Sequence, residues 1–345
     1  MLKVDYAVIG SGPAGQKGAI QAAKLGKKVV VIEKEMHPGG NSLNWGTIPS
    51  KSLREAILDL TGFYERSFYG KHLGEKKISI NDLNYRLNIV LEEQRKLILR
   101  QFEKNKINFM HGTARFIDPY HLEVIDAEGR VVCHIEAEMF LIAGGSRPRN
   151  PLNVPFDSEV ILDSTRLLQI DHLPKTLLVL GGGIIGSEYA SFFAALGTEV
   201  TVVDKREHLL PLLDAEISLH LQKALGHLGL KMEGRKEPIE IRRVKDHAEV
   251  VCTDGTVLKA EMLLYALGRE ANVDALQINK AGIDVNARGY IPVNSAFQTE
   301  MPHIYAAGDV IGGPSLASTG MEQGRMATCH AFGEKTHDFP TFYPI

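Results

Sequence analysis

The feature that most restricts this chain is an internal repeat. DYAVIGSGPAGQKGAIQAAKLGKKVVVIEK near the start recurs as TLLVLGGGIIGSEYASFFAALGTEVTVVDK in the middle, and the two copies align without a gap. Gly10, Gly12, Gly15, Leu25, Gly26 and Glu33 each have a counterpart at one constant offset, in Gly181, Gly183, Gly186, Leu196, Gly197 and Asp204. Self-similarity of this kind means two structural units built to one plan. In each copy a β-branched apolar run, too short for a helix and bounded by glycine, precedes the glycines. A small-residue helical stretch and a second such run follow. The spacing predicts strand, turn, helix, strand, twice.

A lone GxGxxG is weak, because a chain with 33 glycines produces such spacings by chance; here the strand-turn-helix context is present twice. The first glycine permits the tight turn, the second lets backbone approach a pyrophosphate, and the third lets helix pack on strand. The diphosphate then sits at the positive end of the helix. Pro13 and Ala14, and Ile184 and Ile185, fall inside these loops and join the glycines as candidate contacts. Roughly 20 residues on, an acid should accept the ribose hydroxyls of the adenosine half, and Glu33 and Asp204 stand there. Lys34 follows the first acid, and Lys205 and Arg206 follow the second. Asp204 favours an unphosphorylated ribose, while the two cations supply the opposite preference, so the nucleotide choice stays open. The fold class is α/β, with two Rossmann-like dinucleotide-binding domains of the three-layer ββα type.

Leu83, Leu87, Val90, Leu91, Leu97, Ile98 and Phe102 recur at helical spacing on one long charged helix, a core-facing stripe. Residues from about Ile107 to Ile142 alternate in strand fashion around AspPro and GluGly, an antiparallel excursion that returns to the sheet. Its exit is LIAGGSRPRNP; the stretch beginning at Pro148 reads as a crossover into the second domain, and GRE near Gly268 as the way back. The expected domains are 1–149, 150–270 and 271–345, the last returning to the first, which is therefore discontinuous.

A length of 345 residues allows about two domains, and a formal net charge of −3 with interspersed signs leaves no basic face for nucleic acid or anionic membrane. No apolar run reaches the roughly 18 residues that span a bilayer, and the first strand begins within a few residues of Met1, so a cytoplasmic location is expected. Cys133, Cys252 and Cys329 lie far apart without CxxC spacing, which supports neither a disulfide framework nor a metal site.

A third motif, IYAAGDVIG, delivers Gly308 and Asp309 from an apolar strand and is followed by PSLAS. With GSGPAG, GGNSLNWGTIPSK and GGGIIGSEYAS, it resembles the pyridine nucleotide disulfide oxidoreductase family. The resemblance implies that the first loop holds FAD, that the second holds NAD or NADP, and that Asp309 binds the ribityl chain. It also implies FAD contacts at Gly40, Asn41, Ser42, Thr47, Lys51, Ala114, Ala143, Gly144, Gly145, Gly308, Leu316, Ala317 and Ser318, and nucleotide contacts at Gly268 and Arg269.

In that family the segment after the GG pair carries two cysteines whose disulfide takes electrons from the flavin. Here those positions are Ser42 and Thr47. A hydroxyl forms neither a disulfide nor a stable thiolate, so flavin is left as the only carrier. WGTIPSK, NVDAL, PVNSAFQTEMPHIYAAGDVIGGPSLAS and EQGR are similar to the soluble pyridine nucleotide transhydrogenases, which share the threonine at Thr47 but usually keep a cysteine where Ser42 stands. The implied reaction is ping-pong: hydride passes from NADPH to flavin, and then to NAD+ in the same nucleotide site. Lys51 resembles the family lysine near the flavin and Glu188 its carboxylate partner; with Thr47 they are the candidate catalytic residues. Glu188 aligns with Lys17 of the first copy, so the helix itself did not demand an acid there. Trp45 and Tyr189 are read as packing residues.

Members of the family form homodimers through a further domain, whereas this chain ends in FPTFYPI. A truncated product without that interface is expected. Alternatives to the transhydrogenase are a diaphorase or dihydrolipoamide dehydrogenase-like flavoprotein, and a non-catalytic FAD- and NAD-binding remnant.

Overall fold

The computed structural model describes residues 1–61 and 79–339. In chain order the first half contains β1 (Leu2–Ile9), α1 (Pro13–Lys24), β2 (Val29–Glu33), α2 (Gly40–Asn44), α3 (Thr47–Thr61) and α4 (Ile80–Lys104). There follow β3 (Asn108–His111), β4 (Thr113–Asp118), β5 (His121–Ile125), β6 (Val131–Ile142), β7 (Ser146–Pro148) and β8 (Ile161–Asp163). The second half contains β9 (Thr176–Leu180), α5 (Ile184–Ala195), β10 (Glu199–Asp204), α6 (Ala215–Gly226), β11 (Lys231–Gly234) and β12 (Pro238–Val244). It closes with β13 (His247–Cys252), β14 (Val257–Ala260), β15 (Met262–Tyr265), β16 (Arg269–Ala271), β17 (Ile304–Ala306) and α7 (Ala317–Ala331).

Contacts divide the described residues into two units, one comprising 1–49, 90–147 and 270–339, the other 50–61, 79–89 and 148–269. In the first, strand order is β3-β2-β1-β6-β5-β4, with β17 also pairing β6. β6 pairs parallel with β1 along Ile135–Ile142 and antiparallel with β5, so one long strand serves both a parallel sheet and a meander. Alternation along β1 explains the layering. Ala7 and Ile9 join Phe116, Leu122 and Val124 of the meander in one core. Tyr6 points to the helical face, where its hydroxyl lies 3.0 Å from Thr328 Oγ1 of α7. There α7 crosses α1 so closely that a Cβ on Gly324 would collide with the Ala14 carbonyl.

The second unit repeats the plan with a parallel sheet, β11-β10-β9-β15-β8, and an antiparallel one, β12-β13-β14. Leu177 and Val179 of β9 face α5, together with Leu53, Ala56 and Ile57 of α3. Leu178 and Leu180 face Ala248 and Val250 of β13. Strands buried on both faces read as continuous apolar runs, as LLVL does. Both units are α/β of the three-layer ββα type.

The stripe on α4 needs one correction. Leu83, Leu87, Leu91, Ile98 and Phe102 are buried, but Leu97 is 45% exposed and Val90 only half-buried. Leu97 precedes Ile98 by one residue, about 100° around the helix, so the two cannot share a face. No described helix is long and apolar enough to cross a membrane. At the C-terminus Phe339 packs edge-on to Phe297, with ring centroids 5.5 Å apart, and the remainder of FPTFYPI lies outside the described residues.

Candidate functional site

The two glycine loops are built identically. Gly10, directly after β1, has φ +100°, and Gly181, directly after β9, has φ +107°; a side chain on either would also strike a carbonyl, that of Ala143 or Ala266. A Cβ on Gly15 or Gly186 would collide with the carbonyl oxygen of Gly10 or Gly181, so only glycine lets each helix close on its strand. The middle glycines differ in kind. Beyond Gly12 the nearest atom to an added Cβ is Gly40 Cα at 3.9 Å, and beyond Gly183 nothing lies within 4 Å. Each is the N-cap of its helix and supplies no capping side chain, so α1 and α5 present first-turn N–H groups and the positive dipole end to open space. That space suits a diphosphate.

In the first unit the predicted residues gather at the carboxyl ends of parallel strands. Gly10 follows β1, Glu33 ends β2, Ala143, Gly144 and Gly145 follow β6, and Gly308 and Asp309 follow β17. Buried Glu33 is aimed by the loop itself: Oε2 accepts from Ser11 N (2.9 Å) and Ser11 Oγ (2.6 Å), and Oε1 accepts from Glu35 N (3.0 Å). Ser11 Oγ also accepts from Gly39 N at 3.0 Å, tying the loop to the entry of α2, which carries Gly40, Asn41 and Ser42. The Asn41 amide donates to the Ser146 carbonyl, and Ser146 Oγ donates to Asp309 Oδ2 at 2.6 Å. Gly308 N donates to Gln323 Oε1 at 2.8 Å. Asn272 bridges the carbonyls of Gly144 (2.8 Å) and Gly145 (3.0 Å). Leu316 caps α7, and Ala317 and Ser318 open it. Pro13 and Ala14 form the first turn of α1. Lys34 is exposed, 3.8 Å from Glu35. Ala114 lies in β4 with its side chain in the core, which leaves only its backbone for any ligand. An open glycine cradle, a pre-aimed acid and a second carboxylate at the same sheet edge fit a flavin dinucleotide.

The second unit has the same edge: Gly181 follows β9, Asp204 ends β10, and Gly268 (φ +111°) follows β15, with Arg269 opening β16. Ile184 is 53% exposed at the mouth of the loop, whereas Ile185 turns inward against the core. Asp204 is buried, and its oxygens are fully engaged. Oδ2 accepts from Gly182 N (2.7 Å) and Arg206 Nη2 (2.6 Å), and Oδ1 accepts from Arg206 N and Nε (both 2.8 Å). Burial raises the carboxyl pKa, but the Arg206 guanidinium and the Gly182 N–H outweigh it and hold the group below its usual range. Hydrogen bonding to Asp204 raises that of Arg206 in return. Lys205 points to solvent.

Thr47 starts α3 and is exposed; Lys51 lies one turn on. Lys51 Nζ is 2.9 Å from Glu188 Oε1 of α5, in a pair whose side chains are 65% and 24% exposed. Half-solvated, such a pair contributes little to stability. Beside it Tyr189 is buried against Phe192, with burial pushing its hydroxyl pKa up.

Glycine spacing does not reveal Ser11, Gly39, Ser146, Asn272 or Gln323, which aim the acids and fix the loops. Ser11 and Gly182 occupy the variable second position of each motif, and in Gly182 the acid's partner is a bare backbone N–H, which leaves no mark in sequence.

Fold and loops together define an α/β protein of two Rossmann-like units. Residues 4–324 match the family described as pyridine nucleotide-disulphide oxidoreductase, and the chain belongs to that family, a class of flavoprotein, NAD(P)-dependent oxidoreductases. It is 42% identical to the soluble pyridine nucleotide transhydrogenase of Mycobacterium tuberculosis, a match covering 100% of this chain and 74% of that one. To the protein of the same name in Chromohalobacter salexigens it is 39% identical, covering 98% and 73%. Among solved structures it resembles LpdA from Mycobacterium tuberculosis (TM-score 0.88, 30% identity, 98% and 74% covered). It also resembles a copper(II) complex of the HOCl-induced flavoprotein disulfide reductase RclA from Escherichia coli (TM-score 0.84, 29% identity, 96% and 71% covered).

Proposed function

We propose that the chain is a transhydrogenase that binds FAD at the first loop and NADPH and NAD+ in turn at the second, with no redox-active disulfide. One observation carries this reading: both loops are structurally complete, with an open middle glycine and an acid held by the loop's own N–H, while the positions of the family's cysteine pair are Ser42 and Thr47. Bound FAD would supply the two-electron carrier between the nucleotides. Glu33 accepts the adenosine ribose hydroxyls, Asp309 the ribityl hydroxyls, and the first-turn N–H groups of α1 the diphosphate. In the second unit α5 takes the nucleotide diphosphate, and the Lys51–Glu188 pair fixes a cation beside that loop. The names of the relatives support the same reaction.

The test is anaerobic reduction of the purified flavoprotein by NADPH, followed by a thionicotinamide analogue of NAD+. Return of the flavin absorbance with appearance of reduced analogue supports the proposal. Recovery only with oxygen or a quinone replaces it with a diaphorase, and absence of flavin with a binding remnant.

A further inference from the structure

A site that takes both NADP(H) and NAD(H) faces a chemical conflict at one atom. The 2′ position of the adenosine ribose carries a dianionic phosphate in one nucleotide and a hydroxyl donor in the other. A carboxylate there repels the first and accepts from the second; a guanidinium attracts the first and offers the second no acceptor.

The second loop holds both groups in one object. Asp204 offers about four lone-pair positions, and all are filled: by Gly182 N, by Arg206 N and by two nitrogens of the Arg206 fork. In this arrangement the acid has nothing left for a ribose hydroxyl. The Arg206 side chain is 45% exposed, against 2% for Asp204, so its remaining N–H groups face outward. Of the neighbouring cations, Lys205 points to solvent and has no fork to match a carboxylate. Arg235 is taken by Glu207 at 2.5 Å, and Lys236 by Asp254 at 2.8 Å. Backbone bonds from Arg235 N to Arg206 O (3.2 Å) and from Lys236 N to Asp204 O (3.1 Å) pin the main chain here, so the side chain of Arg206 is the part free to swing.

Resting on the assignment of this loop to the pyridine nucleotide, we propose that the Asp204–Arg206 fork is a two-position specificity device. Closed, it neutralises the acid and turns the outward N–H groups of Arg206 to a 2′-phosphate. Open, Arg206 swings to solvent and Asp204 accepts the 2′- and 3′-hydroxyls of the unphosphorylated nucleotide. In the open form the ribose hydroxyls take the acceptor positions that the fork leaves, so the buried carboxylate keeps its hydrogen bonds and neither nucleotide is shut out.

Two probes without nicotinamide separate this device from the chemistry: ADP-ribose and 2′-phospho-ADP-ribose, titrated calorimetrically into the holoprotein. The wild type is expected to bind both, within about an order of magnitude of each other. Arg206→Ala should weaken the phosphorylated probe by at least about tenfold, the worth of one charge-assisted contact, and leave ADP-ribose unchanged or tighter. Asp204→Asn should do the opposite. If Asp204→Asn does not fold, Arg206→Lys serves with the alanine variant, since it keeps the cation without the fork and should retain more phosphorylated-probe affinity than alanine. Arg206→Ala that weakens both probes alike, or neither, overturns the device while leaving the nucleotide site intact. Failure of the wild type to bind either probe overturns the assignment of the loop itself.

Discussion

Replacing Gly183 and Gly186 in turn by alanine should separate folding from binding within one turn of helix. Gly183 has φ −77°, ordinary for alanine, and an added Cβ meets nothing within 4 Å, so the fold loses only the N-cap preference for glycine, about 1 kcal/mol or less. Gly186 is the opposite case: its Cβ would strike the Gly181 carbonyl and press on Val179 Cγ1 at 3.2 Å, neither of which can retreat from a buried strand end. Overpacking of that kind costs about 3 kcal/mol; the better helix propensity of alanine returns about 1, leaving a net loss of about 2 kcal/mol. At about 2–4 °C per kcal/mol for a unit of this size, Gly186→Ala should melt about 4–8 °C lower, and Gly183→Ala no more than about 2–4 °C lower. Binding should rank the other way. If α5 takes the nucleotide diphosphate as proposed, a methyl on Gly183 stands in its path, and loss of one charge-assisted N–H contact, about 1.5–3 kcal/mol, weakens ADP-ribose about tenfold to a hundredfold. Thermal melting and calorimetric titration read the two effects. A Gly183→Ala protein that melts as low as Gly186→Ala, or that binds ADP-ribose like the wild type, would refute the assignment of an open cradle.

Three further outcomes are expected. Glu33→Gln deprives Ser11 N and Oγ of a carboxylate and should cost about 1–3 kcal/mol in urea unfolding, with a lower flavin-to-protein ratio after purification. Lys51→Met removes a pair that is largely solvated, so unfolding should change by less than about 1 kcal/mol, while transhydrogenation falls at least about tenfold, as one charge-assisted contact is worth; equal loss of stability and activity would show a merely structural pair. Glu249 is held by Lys259 first, against burial, with Arg242 and His247 adding, so that its carboxyl lies at about 2 rather than 4.5. Because the folded value is the lower, its stabilising contribution is complete above pH 4.5 and is lost as pH falls toward about 2; urea midpoints of Glu249→Gln should lack that part of the decline.

Much of the fold was legible because repetition and alternation are properties of the string. LLVL and VVVI declare strands buried on both faces, and the period-2 run from Ile107 to Ile142 became the meander of β4, β5 and β6. What sequence could not supply was direction. Leu97 matched a helical stripe by composition yet points away, and α3 gives Leu53, Ala56 and Ile57 to the second unit's core although it follows the first unit's motifs. In the site, the acids were visible from spacing, but the atoms that aim them were not, since Ser11, Ser146 and Gln323 act through rotamers and long-range contacts. The fork of Arg206 on Asp204 is of this kind: adjacency in sequence suggested two opposed preferences, and only geometry shows that one group occupies the other.

The hydrogen bond between Tyr6 and Thr328 joins residues 322 positions apart, and β17 and α7 finish a unit that β1 and α1 begin. During synthesis the first glycine loop therefore emerges long before the strand and helix that complete its unit. The stretch that builds most of the second unit is made in between. At about 5–20 residues per second, the interval from β7 to the end of α7 lasts on the order of ten to forty seconds. Over that time β6 and α1 lack the strand and helix that later pack on them. The second unit can assemble first, and the first is completed only after α7 has been made.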